Sequence, residues 1–142
     1  MKTWLKSIKK MGACEDALNW GEQYETIDKA WAECERGDWM LWLLGKQSGE
    51  PGSESRKMLA LAACQCARLV LPYVKEGELR PLKAIEATEA WARNERGVSL
   101  KDVRDAANAA NDAYAASAAK KSTLKQCADI VRLNYKSPTF KK

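Results

Sequence analysis

The sequence predicts an all-α fold: a single compact domain over residues 1–142, with about seven helices packed around a central buried helix at Ser53–Leu71. Three observations carry that prediction. From Met58 to Leu71 nearly every position is apolar or small, and the polar exceptions Lys57, Gln65 and Arg68 fall on one line at helical spacing. A helix that is apolar almost all round is normally wrapped by others. Elsewhere the apolar residues recur three and four positions apart, and no strand alternation, Asn-Gly hairpin signal or Gly-rich phosphate loop interrupts them.

Taken in order, Thr3 is placed to cap a short first helix whose inward face is Trp4, Leu5 and Ile8, with Gly12 allowing a break. A second helix carries Cys14, Ala17, Leu18 and Trp20 inward, has Glu15 and Asp16 early, where acids complement the helix dipole, and ends at Gly21. Thr26 opens a third, with Ile27, Ala30, Trp31 and Cys34 on one face and a stop near Gly37. Asp38 reads as the N-cap of a fourth, WMLWLL, ended by Gly45 and plugged into the core beside the central helix. Gln47 to Gly52 is the clearest loop.

Ser53 caps the central helix, and Pro72 ends or kinks it because proline lacks a donor and biases Leu71 away from helical geometry. Pro81 fits the first position of the next helix, which Gly97 terminates. Ser99 and Asp102 form a capping-box-like pair ahead of an alanine-rich helix running through Val103 to Tyr114. Ser122 caps a final helix with Leu124, Cys127, Ala128, Val131 and Tyr135 inward, and residues 137–142 read as a flexible tail.

Composition excludes several kinds of chemistry. There is no histidine, so no imidazole base, His-activated nucleophile or Cys/His zinc site can be built. Nothing implies a cofactor, and the expectation is a non-enzyme. Strictly apolar runs such as Trp39 to Leu44 and Met58 to Cys64 are far too short to cross a bilayer. The Lys-rich start leads into no apolar signal core, so the chain is expected in the cytoplasm, with its five cysteines as reduced thiols. Cys64 and Cys66, two apart on a helix, point to roughly opposite faces and read as packing residues. Glu89 and Arg93, four apart, read as a solvated ion pair.

The net charge of +5 is unevenly spread. Met1–Gly12 carries four lysines and no acid, Ala13–Ser55 has ten acids against three bases, and Lys120–Lys142 has seven bases against one acid. Two surfaces follow. The acidic segment, with Glu22, Tyr24, Glu25, Asp28, Glu33, Arg36, Asp38 and Trp39, is the candidate partner-binding face, since charge of one sign steers a basic partner and aromatics supply hot spots. The basic ends, with Lys6, Lys9 and Lys10 and with Lys121, Lys125 and Arg132, would bind phosphates if the termini meet, the alternative being a nucleic-acid-binding accessory protein. Few base-reading or aromatic residues interleave with those lysines.

The wording ACEDALNW, then WAECERGDWMLWLLGK, then SESRKMLALAACQCARLVLPYVKEGELRPLKAIEATEAWARNE, resembles small helical proteins of phages and prophages. These are similar to a family of immunity proteins of bacterial polymorphic toxin systems. The most specific pieces are Arg36-Gly37-Asp38-Trp39, the stretch Cys64–Pro72, and Pro81–Glu95 with its Ala90-Trp91-Ala92-Arg93. The resemblance implies a protein of the bacterial host cytoplasm that binds and blocks another bacterial protein. That partner is a toxin or, for phage-borne relatives, a defence component, which includes anti-CRISPR roles. It implies no catalytic residue.

Overall fold

The computed structural model describes residues 1–95, 97–106 and 121–140. They form eight α-helical segments and one 3-10 turn, with no strand among the described residues. The helices are α1 (Thr3–Lys10), α2 (Glu15–Gly21), α3 (Ile27–Glu33), α4 (Gly37–Gln47), α5 (Glu54–Arg68), α6 (Arg80–Ala92), α7 (100–106) and α8 (Lys121–Asn134). The 3-10 turn is Leu71–Tyr73.

The central helix expected from its apolar run is α5, which packs on α6 with one side and on α4 and α8 with the other. Its two close cysteines mark those sides. Cys64 Sγ points at the Ile85 carbonyl of α6 at 3.8 Å, and Cys66 Sγ at the Cys127 carbonyl of α8 at 3.7 Å. All five cysteines are free thiols. Met58 is 63% exposed, so the solvent stripe of α5 is wider than the three polar residues suggested.

The main core cluster joins the N-terminal helices to α8. Trp4, Leu5 and Ile8 of α1, Ala30 and Trp31 of α3, Met40 and Leu43 of α4, and Cys127, Ala128 and Val131 of α8 are buried together, with Cys66 reaching in from α5. Fully burying a side chain such as Leu5 or Val131 contributes about 2 kcal/mol each.

The helix ends separate local from tertiary causes. Thr26 Oγ1 accepts from the Lys29 amide at 3.3 Å, and Ser53 Oγ from the Arg56 amide at 3.3 Å, as their positions predict. Ser99 and Asp102 make the full reciprocal box: the Ser99 amide donates to Asp102 Oδ2 at 2.9 Å, and the Asp102 amide to Ser99 Oγ at 3.2 Å. The remainder of the alanine-rich helix expected beyond 106 lies outside the described residues, as does the side chain of Ser122.

Other boundaries differ from expectation. Thr3 is the first residue of α1 rather than its cap, and Lys2 takes the extended capping position. Asp38 does not cap α4, because the helix already begins at Gly37 and the Asp38 carboxylate is taken by Arg36. Gly45 does not end α4, which continues to Gln47. Helix α5 stops at Arg68, before Pro72, and Pro72 lies instead within the 3-10 turn. Helix α6 ends at Ala92, short of Gly97, with Asn94 in the left-handed region at φ 61°.

The expected Glu89–Arg93 pair is replaced by a link between helices: Arg68 of α5 donates to Glu89 of α6 from Nε at 3.1 Å and Nη2 at 2.5 Å. The segment read as a tail has no helix, yet through residue 140 it lies on the body. Pro138 is buried, Phe140 packs against the core, and Gln47 Nε2 donates to the Thr139 carbonyl at 3.0 Å.

Candidate functional site

Helices α1 to α4 surround a cavity of about 330 Å³. Its walls contain Trp4, Trp20, Trp31, Trp39 and Trp42, five of the six tryptophans in the chain, and Asp38 is the single charged residue among them. The floor is buried, being formed by Trp4, Trp31, Met40 and Leu43, while Trp20, Trp39 and Trp42 are half-buried and Cys14 and Asp38 are exposed at the mouth.

Each wall is held by a specific local reason. Helix α2 approaches α1 at Gly21, where a Cβ would lie 2.7 Å from Leu5 Cδ2 and 2.8 Å from Trp4 Cη2, so only glycine allows this spacing. Lys2 ties down the loop after α2 by donating to the Glu22 carbonyl at 2.5 Å and the Tyr24 carbonyl at 3.0 Å. Trp4 Nε1 donates to the Tyr24 carbonyl at 3.4 Å and Trp31 Nε1 to the Tyr135 carbonyl at 3.3 Å, which fixes both rings and removes their polar edges from demand.

The end of α3 is fixed from α8. Arg132 Nη1 donates to the carbonyls of Trp31 at 3.0 Å and Cys34 at 2.6 Å, while Nη2 reaches Asp129 at 2.7 Å. A cation on those unpaired carbonyls complements the helix dipole.

At the mouth the aromatic rings form a chain. Tyr24 and Trp20 have centroids 4.8 Å apart, Trp20 and Trp39 5.9 Å, and the Arg36 guanidinium lies 4.3 Å over Trp39. Both pairs of rings are tilted, the geometry their quadrupoles favour. Arg36 also donates to Asp38 from Nε at 2.9 Å and Nη2 at 2.7 Å, which holds the guanidinium pKa above its ordinary value. Burial, then a hydrogen bond with the Glu33 carboxylate, raises the Tyr24 hydroxyl. Burial raises the Cys34 thiol.

Of the residues expected on the acidic face, the structure brings Tyr24, Glu33, Arg36, Asp38 and Trp39 together around Trp20. Glu25 is set apart by an ion pair with Lys2 at 3.5 Å, and Glu22 and Asp28 are exposed. Sequence reasoning did not place Trp4, Trp20, Trp31 and Trp42 in a common site. The available signal was density, since five tryptophans fall within the first 42 residues.

Among the basic residues, Lys6, Lys9 and Lys10 are exposed on α1, and Lys125 lies 3.8 Å from Glu35. Arg132 is engaged by carbonyls as described, and the side chain of Lys121 lies outside the described residues. Among the described residues no group of three or more His, Cys, Asp or Glu side chains could hold a metal ion, and no helix is long and apolar enough to cross a membrane. The site is an apolar, aromatic recess with a charged and hydrogen-bonded rim.

Residues 50–132 match the family described as Imm-5 like putative immunity protein. No curated protein and no solved structure matches the chain. The matched stretch opens just before α5 and closes within α8, so every residue lining the cavity precedes it. Because the match runs over more than half of its 142 residues, the chain belongs to the Imm-5 like putative immunity protein family.

Proposed function

We propose that the protein acts by binding: it docks on a basic bacterial protein through the acidic, aromatic face around the cavity and occludes that partner's working surface. The observation that carries this reading is the continuous run of Tyr24, Trp20, Trp39 and Arg36 at a mouth flanked by Glu33, Glu35 and Asp38. Rigid aromatic anchors inside a polar rim are the usual anatomy of interface hot spots. Family membership supports an immunity-type role, with a toxin as the partner. A phage setting, with a defence component such as a CRISPR effector as the partner, uses the same surface. Both place the protein in the bacterial cytoplasm as a non-catalytic inhibitor.

A phosphate-binding role for the basic ends has less support. Arg132 is engaged by two carbonyls and Lys125 lies beside Glu35, which reduces the cations free to meet a nucleic acid.

The test is capture from nuclease-treated bacterial lysate at about physiological ionic strength. Tagged native protein is compared with a variant reversing Glu22, Asp28, Glu33 and Glu35 to lysine whose circular dichroism and melting are unchanged. Native protein retains one partner in stoichiometric amount and the variant loses it. Equal capture by both would overturn the reading.

A further inference from the structure

We infer that the tryptophan-walled cavity is the receptor for one aromatic side chain that the partner presents on a basic loop. This rests on the partner-blocking reading above and adds what the partner must offer.

Volume comes first. An apolar cavity of about 150 Å³ is enough to hold benzene. The cavity here, at about 330 Å³, has room for a phenol or indole together with the stem that carries it. The walls then select among groups. Trp4 and Trp31 spend their indole N–H groups on backbone carbonyls, so the floor presents ring faces, edges and the apolar side chains of Met40 and Leu43. A ring entering among tilted indoles makes edge-to-face contacts that add to its burial.

A cation inside the recess is disfavoured. Aromatic boxes bind cations, but here that role is already filled from within the chain: Arg36 covers Trp39, and its two hydrogen bonds occupy the Asp38 carboxylate. A second cation in the recess would be desolvated with no free counter-charge. The negative charge stands around the mouth instead. Glu15 follows the lining residue Cys14, Asp28 follows Ile27, and Glu33 precedes Cys34; all three acids are exposed. An aromatic anchor seated in the recess, with lysine or arginine on either side of it meeting that rim, satisfies both zones at once.

The probe is a five-residue peptide, Lys-Arg-Trp-Lys-Arg with 5-fluorotryptophan at its centre, followed by fluorine NMR against the full-length protein at peptide concentrations up to about 1 mM. The expected result is a saturable shift of the fluorine line. Affinity weakens at least about ten-fold when the flanking residues are made glutamate, and likewise when Ala17 on the wall is filled as Ala17→Trp. Trp20→Ala serves as a second variant should Ala17→Trp fail to fold, and it gives the same loss. Absence of a shift, equal affinity for the basic and acidic peptides, or native affinity in the folded variants would each overturn the inference.

Lysate capture separates this inference from the reading beneath it. If the charge-reversed protein loses the partner while folded Ala17→Trp and Trp20→Ala keep it, the blocking face stands and the cavity inference falls. If all variants keep the partner, both fall.

Discussion

Gly37 lies so close to Cys127 that a Cβ built on it would sit 2.4 Å from the Cys127 sulfur. It would also lie 2.6 Å from the Ala128 backbone nitrogen, which has no rotamer by which to yield. Gly37→Ala therefore forces α4 off α8 and costs about 3 kcal/mol, the upper part of the range for overpacking. A urea titration followed by circular dichroism reads this as a lower midpoint with little change in slope. Cys127→Ala added to Gly37→Ala removes the sulfur but not the Cβ or the backbone clash, so it does not restore stability.

Arg132 serves two carbonyls of the α3 end that lie among buried residues. Arg132→Ala leaves both without a protein donor and costs about 2 kcal/mol. Arg132→Lys recovers only part of this, because an ammonium lacks the planar fork that spans both acceptors. The same urea titration measures the order: native, then lysine, then alanine.

Acid should separate the interhelical pair from the rest of the fold. The Arg68 side-chain hydrogen bonds hold the Glu89 carboxyl below its ordinary value of 4.5 in the folded chain. The stabilisation is therefore complete above about pH 5 and drains away as pH falls through the lowered folded value. In a comparison of native protein with Glu89→Gln, the gap in urea midpoints stays constant from neutral pH down to that region and closes on further acidification. Glu78, held down to about 2 chiefly by the Arg80 side chain, gives an independent check by carboxyl NMR. Arg80→Gln moves its midpoint back toward 4.5.

Thiol chemistry reads the core directly. Cys14 is the exposed cysteine of the five, and burial pushes the Cys64 thiol up to about 11. Iodoacetamide at mildly alkaline pH is expected to label one thiol in the native protein and five after unfolding in urea. Cys14→Ser abolishes the fast reaction and leaves the slow ones unchanged.

What the sequence made legible follows from how far each cause acts along the chain. Thr26, Ser53 and Ser99 were readable as helix starts because their hydrogen bonds close over three residues. The opposed directions of Cys64 and Cys66 followed from helical geometry alone. Asp38 was misread because Gly37 begins α4 against Cys127, a contact invisible at short range, and Arg36 then claims the carboxylate. The partner of Glu89 stands 21 residues away on another helix, so a local rule supplied Arg93 in its place.

The acidic, aromatic composition of the candidate site was visible, and its recess was not. Trp4, Trp20, Trp31 and Trp42 each read as belonging to the inward face of its own helix, and Trp39 read also as part of the acidic face. The space between them depends on how closely the helices approach, which Gly21 sets between α2 and α1 and Gly37 between α4 and α8.

The bonds from Arg132 to Trp31 and Cys34, and from Trp31 to Tyr135, also impose an order on biosynthesis. They span 98 to 104 residues, so during translation at roughly 5–20 residues per second the tryptophan helices wait about 5–20 s for the helix that completes them. A nascent chain paused before α8 lacks those anchors and exposes indole surface that the finished protein covers. Premature termination there yields a chaperone client rather than a smaller folded protein.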